Sequence, residues 1–146
     1  MIARLHELPL NDLRPLIEES RVEGFKFLQR LQDEWFSGAN RFDRDGEAFF
    51  GYFSGATLVG VGGINRQTST CGRLRRCYVL PDWRRRGIGR RLVGHILLFS
   101  AEFYKEVVLH TESASADAFY RELGFSRIPN SKDPTHRITI EQRPGR

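Results

Sequence analysis

The chain has no apolar run near the roughly 20 residues that a membrane-crossing helix needs. Its hydrophobic content, 40% with eleven phenylalanines, is therefore available for an internal core. The N-terminal stretch carries no signal-peptide hydrophobic segment, so the expected compartment is the cytoplasm. Cysteine is scarce: Cys71 and Cys77 are the only two. That excludes a disulfide scaffold and a thiolate metal cluster. The four histidines, His6, His95, His110 and His136, are scattered without metal-binding spacing, and no metal is expected. Internal repeats and low-complexity tracts are also missing, and residues 1–146 read as a single domain. A homodimer is left open, because a linear pattern does not say which apolar surface stays exposed.

Lysine is nearly absent as well. Lys26, Lys105 and Lys132 are the only three among 23 cationic residues, so arginine dominates a net charge of +5. Eight arginines lie between Arg73 and Arg91. Arginine gathered in one place points to an anionic ligand more than to general solubility. For any single one of them, a solvated basic face explains it equally well.

Those arginines surround a junction. Leu74 to Val79 has the β-branched and aromatic content of a strand. Pro81 stops or splays it, since proline cannot donate a ladder hydrogen bond. After Gly89 the period becomes helical, with Ile88, Leu92, Ile96, Phe99 and Phe103 spaced by three or four. A helix start has backbone N–H groups without partners and the positive end of the helix dipole. Gly87 and Gly89 lack a Cβ, which lets a phosphate oxygen approach the main chain. Arg84, Arg85, Arg86, Arg90 and Arg91 add positive field. The junction reads as a phosphate site.

The rest of the chain supplies the layers. Ile2 to Leu8 alternates as a short strand. A helix is expected from about Leu13 to Arg21, with Pro15 in its opening turn. Gly24 breaks it, and Phe27, Leu31 and Trp35 mark one face of a second helix that ends at Ser37 and Gly38. Ala48 to Phe53 and Leu58 to Ile64 form a hairpin around Ser54 and Gly55, and a polar stretch from Asn65 to Gly72 leads to the strand at Leu74. The long helix is expected to reach about Tyr104. Glu106 to His110 follows as a strand, in parallel pairing. Ser113 or Ser115 caps another helix, which Gly124 ends. Ser126 to Ile128 and His136 to Glu141 close the sheet. The fold class is α+β, layered α/β/α, with a mixed, mostly antiparallel sheet of six to seven strands and four helices.

At this point the residues resemble a family. Arg84-x-x-Gly87-x-Gly89 after Val79-Leu80-Pro81 is similar to the acetyl-CoA signature of the GNAT N-acetyltransferases. Ala116-x-x-Phe119-Tyr120-x-x-x-Gly124-Phe125 is similar to that family's second signature. The resemblance implies a fold, a co-substrate and residue roles. Backbone groups of Cys77, Tyr78 and Val79 would pair with the pantetheine arm of acetyl-CoA. Amides from Arg85 through Arg86, Gly87, Ile88 and Gly89 to Arg90 would hold its pyrophosphate. Phe119 and Ser113 would flank the cofactor, and Tyr120 would protonate the leaving thiolate. Two positions depart from the pattern: Ser113 stands where the family often has Asn, and Arg73 stands where one branch has a basic carboxylate.

The implied reaction is direct attack of a primary amine on acetyl-CoA. At pH 7 only about one alkylammonium in 2,500 is neutral, a deficit of ~4.6 kcal/mol that a base or desolvation must offset. His110, near the splay of the sheet with Glu112 two residues on, is the candidate base, and a structural histidine is the plain alternative. Tyr120 likewise reads as a core aromatic if the motif is set aside. Asp33 and Glu34 could attract a cationic substrate or simply be solvated. Trp35, Phe36 and Phe42 could line a pocket, although core packing suits Trp35 better. Cys77 lacks a histidine partner and is not expected to be a nucleophile. The expected function is acetyl-CoA-dependent N-acetyl transfer to a small-molecule or peptide amine. The alternatives are a CoA-binding protein without catalysis and a basic nucleic-acid-binding module. The second is disfavoured, because the arginines centre on one turn and few aromatics interleave them.

Overall fold

The computed structural model describes residues 1–140. Seven strands form one sheet in the order β1-β2-β3-β4-β5-β7-β6. They are β1 (Ile2–Arg4), β2 (Ala48–Ser54), β3 (Thr57–Arg66), β4 (Cys71–Val79), β5 (Glu106–Leu109), β6 (Ser126–Arg127) and β7 (His136–Thr139). The helices are α1 (Leu10–Val22), α2 (Phe27–Ser37), α3 (Ile88–Ser100) and α4 (Ala114–Glu122). All pairings are antiparallel except β4 with β5. A parallel pair needs a crossover, and α3 provides it.

The helices cover both faces of the sheet. Leu13, Leu16 and Ile17 of α1 and Leu28, Leu31 and Trp35 of α2 pack on Phe49, Leu58, Val61 and Tyr78. Leu92, Val93 and Ile96 of α3 pack on Ala48, Phe50, Ile64 and Leu74, with Phe119 and Tyr120 of α4 at the edge. Phe49 is fully buried, and removing a side chain of this size from water stabilises the fold by about 1.5–3 kcal/mol.

Some expected boundaries move. α1 begins at Leu10, so Pro15 lies beyond the opening turn; the Asn11 carbonyl has no N–H four residues on to accept. β1 is three residues long, and α3 ends at Ser100, after which a turn delivers buried Tyr104. The Tyr104 hydroxyl donates to the Gly46 carbonyl at 2.6 Å. β3 and β4 extend farther than expected, leaving residues 67–70 as their connection. β7 is seen from His136 to Thr139, and the expected strand end at Glu141 falls outside the described residues. Trp35 and Phe42 are core residues, packed on Phe49 with ring centroids 5.8 and 5.2 Å away, and Phe36 is exposed.

Pairing between β4 and β5 covers only Cys71–Glu106, Gly72–Val107 and Arg73–Val108. Gly72 is required in this seam, because a Cβ there would meet the Tyr104 ring at 2.7 Å. Beyond Arg73, β4 keeps its partner β3 out to Val79 but has none on its other side among the described residues. The sheet opens there.

Candidate active site

The opening lies where the two sequence motifs converge. β4 is followed by a 3-10 turn, Pro81–Trp83, and then by the start of α3. Gly87 caps α3 with φ +80°, a left-handed conformation that glycine adopts without steric cost. Arg85 is also left-handed, at φ +63°. The first helical bond runs from the Arg91 N–H to the Gly87 carbonyl at 3.0 Å. The N–H groups of Ile88, Gly89 and Arg90 thus precede any intrahelical acceptor, and among the described residues no side chain caps the helix. This is anion-binding geometry.

Gly89 also serves the packing between helices. A Cβ at that position would lie 3.2 Å from the Phe119 ring and 3.8 Å from Val79. Its missing side chain brings α3 against α4, while Gly87 supplies the turn.

The arginines of the turn have separate engagements. Arg84 donates to both carboxylate oxygens of Glu23, at 2.8 and 2.6 Å, and to the Val79 carbonyl at 3.0 Å. Glu23 also accepts from the Tyr78 hydroxyl, and the Arg84 guanidinium lies over the Tyr78 ring at 5.3 Å. Glu23 is held below the ordinary carboxylate range, chiefly by Arg84. Arg86 stacks over Trp83 at 4.7 Å, and Arg90 lies 3.7 Å from Glu122. Glu23 was not legible as a site residue, because a lone acid at a helix end resembles any solvated charge.

α4 brings Phe119 and Tyr120 to the other side of the opening. The Ser113 Oγ accepts from the Ala116 N–H at 3.2 Å and so caps α4. The Tyr120 ring packs edge-on to Phe119 and Phe125. Its hydroxyl approaches the Cys77 thiol of β4, which donates to the Arg75 carbonyl at 3.9 Å. Burial pushes Tyr120 well above its ordinary pKa, and it pushes Cys77 up to about 12. Both stay protonated at neutral pH, which removes Cys77 as a nucleophile.

His110 sits elsewhere. It follows β5, with Nδ1 3.7 Å from Asp133 and Nε2 3.7 Å from Glu112. Asp133 is bonded to Arg73 at 2.5 Å. Glu34 accepts from Arg76 at 2.8 Å. The structure therefore groups Cys77, Phe119, Tyr120 and Gly89 on the α3 side of the sheet, with His110 in a separate cluster beside Arg73. No cluster of potential metal ligands occurs among the described residues.

Residues 10–125 match the model of the Acetyltransferase (GNAT) family. The chain belongs to this family. Among curated proteins, this GNAT chain is 37% identical over 113 residues to an uncharacterised protein of Mycobacterium leprae, covering 68% of the chain and 31% of that protein. It is 36% identical over 83 residues to the N-alpha-acetyltransferase RimI of Mycobacterium tuberculosis, covering 55% of the chain and 52% of that protein. The matched region thus spans about half or less of either relative's length. Among solved structures, one from Exiguobacterium sp. 255-15, provisionally assigned as an acetyltransferase, superposes with a TM-score of 0.85 at 30% identity, covering 95% of this chain and 92% of that one. The PaiA N-acetyltransferase of Thermoplasma acidophilum, solved with coenzyme A, superposes at 0.68 with 20% identity over 96% and 99% of the two chains. That second likeness shows the shared fold.

Proposed function

We propose that the protein transfers the acetyl group of acetyl-CoA to a primary amine by direct attack, with donor and acceptor bound together. The observation that carries this reading is the β4–β5 opening. It has a left-handed glycine helix start at one end, and Tyr120 of α4 lies beside Cys77 of β4.

In this reading the pyrophosphate lies on the amides of Ile88, Gly89 and Arg90. The pantetheine arm lies along the free edge of β4 at Cys77, Tyr78 and Val79, in the manner of an added strand. The thioester then reaches Tyr120. As the amine attacks, the carbonyl oxygen becomes an oxyanion that a β4 amide stabilises, and the tetrahedral intermediate expels the thiolate. Tyr120 keeps its proton because burial disfavours the phenolate. It donates to the departing sulfur at the moment charge develops there, and the proton lost by the acylated nitrogen restores the phenol. His110 beside Asp133 serves as base, taking the ammonium proton before attack.

A nucleic-acid-binding role fits less well, since Arg84, Arg86 and Arg90 are each engaged within the protein. The deciding experiment offers acetyl-CoA to the full chain and follows both thermal stability and CoA release with a panel of amines. Acetyl-CoA should raise the melting temperature, because a ligand of the native state stabilises it by mass action. Stabilisation by duplex DNA and none by acetyl-CoA would sink the reading. Replacing His110 by Gln should lower kcat/KM about a hundredfold; an unchanged value assigns proton removal to another group.

A further inference from the structure

β4 breaks its alternation at one residue. Tyr78 stands opposite Val61 and Arg75 opposite Gly63, so Arg76 and Cys77 together face Gly62. Arg76 has φ +60°, a conformation that non-glycine residues seldom adopt. The bulge changes which side chains share a face. Directly paired residues project to the same side of a sheet. A Cβ on Gly63 would run into Phe42 and Phe49 at 2.6 and 2.9 Å, so its partner Arg75 projects to the α1/α2 side. Arg76 projects there too, reaching Glu34 of α2. Cys77 is returned to the α3 side, where a Cβ on Gly62 would meet its sulfur at 2.9 Å. Arg73, opposite Asn65, completes a row of three guanidiniums on the α1/α2 side.

The charges in that row do not balance. Glu34 pairs with Arg76 and Asp133 with Arg73. Arg75, half-buried, makes no ion pair within 4.0 Å among the described residues. Arg76 is only 9% exposed, and its Nε is a buried donor without a partner. Burial, then Arg76 and Arg73, depress the Arg75 pKa, while Glu34 and Asp133 only partly offset this. A half-buried cation beside two others is costly unless an anion arrives to neutralise it.

We propose that this face is the acceptor subsite and that it takes an amine carrying a carboxylate, which Arg75 receives. This rests on the transferase reading of the opening. Arg75 lies two residues before Cys77, across the bulge and on the opposite face, on the stretch of β4 that has no second partner among the described residues. An aminocarboxylate entering from the α1/α2 side places its carboxylate on the guanidinium fork and its amine at the opening beside β4. Fork-to-carboxylate pairing is the geometry arginine makes best. The same row repels polyamines.

The test uses the full chain loaded with CoA, which cannot transfer an acetyl group, and measures binding by calorimetry. The probes are glycine, β-alanine, 4-aminobutyrate and L-glutamate, each against its carboxamide, with putrescine as a cationic control. At least one carboxylate should bind about tenfold or more tightly than its amide. Arg75→Gln should abolish that preference, and Arg75→Lys should restore part of it. Absence of a preference in every pair, or a preference that survives Arg75→Gln, overturns the proposal. A parallel run with acetyl-CoA separates the two readings. Acetylated product without carboxylate preference leaves the transferase reading and removes the subsite. Carboxylate-dependent binding without product keeps the subsite and removes the transferase.

Discussion

Tyr120 of α4 and Cys77 of β4 approach one another on the α3 side of the sheet, and burial keeps both protonated. Desolvation raises both pKa values, so neither group ionises near neutral pH. A phenol in that state can give a proton to sulfur chemistry without being lost to solvent beforehand.

That pairing predicts inert cysteines. Cys77 is pushed up to about 12 and Cys71 to about 11, both chiefly by burial. At pH 7.5 their thiolate fractions should lie roughly two to three orders of magnitude below that of an ordinary thiol. Iodoacetamide labelling followed by mass spectrometry should find both far slower than a free peptide cysteine. Fast labelling of Cys77 would contradict the placement of its thiol.

Tyr120→Phe removes the proton and keeps the ring contacts with Phe119 and Phe125. In steady-state kinetics kcat should fall by about a hundredfold, with KM for acetyl-CoA shifting little. An undiminished kcat excludes the acid role.

Two glycines of α3 should answer oppositely to substitution. Gly89→Val drives a side chain into the Phe119 ring, 3.2 Å from the position of a Cβ. It should cost about 1–3 kcal/mol of stability and weaken CoA binding together. Gly94 has nothing within 4 Å of its Cβ position, and Gly94→Ala should stabilise by about 0.5–1 kcal/mol through helix propensity. Chemical denaturation of both variants checks the contrast.

Acid should loosen the contact between the end of α1 and the turn before α3. The Glu23 pKa is lowered from 4.5 by the Arg84 hydrogen bonds. A lowered native pKa means that the unfolded chain takes up the proton first. The contact's contribution is therefore present above pH 4.5 and is lost as pH falls through the lowered value. Glu23→Gln should flatten that part of the melting-temperature curve between pH 6 and 3. A mutant curve parallel to the wild-type one would show that Glu23 contributes nothing to acid sensitivity.

Much of the fold was legible because its signals are local. The helical spacing after Gly89, the breaks at Gly24 and Gly38 and the hairpin at Ser54–Gly55 each depend on a few neighbouring residues. Their element order matches the structure. The bulge was not legible: Leu74-Arg75-Arg76-Cys77 carries no polarity pattern that tells one phase of alternation from the other. Strict alternation would send Arg76 toward the α3 core. The Glu23–Arg84 contact spans 61 positions, and single charges give no sign of such pairing. The Gly89–Phe119 contact was not legible either, because spacing carries no sign of a ring brought in from another helix.

The seam between β4 and β5 has a consequence for variation. Three residue pairs join the two halves of the sheet, and one of them uses Gly72 beneath the Tyr104 ring. Any side chain at that rung must displace an aromatic whose hydroxyl is fixed to Gly46. Strand positions elsewhere can exchange one apolar residue for another of similar size. Tolerance to substitution is lowest where the sheet has fewest rungs, and drift among relatives is expected to avoid this crossing.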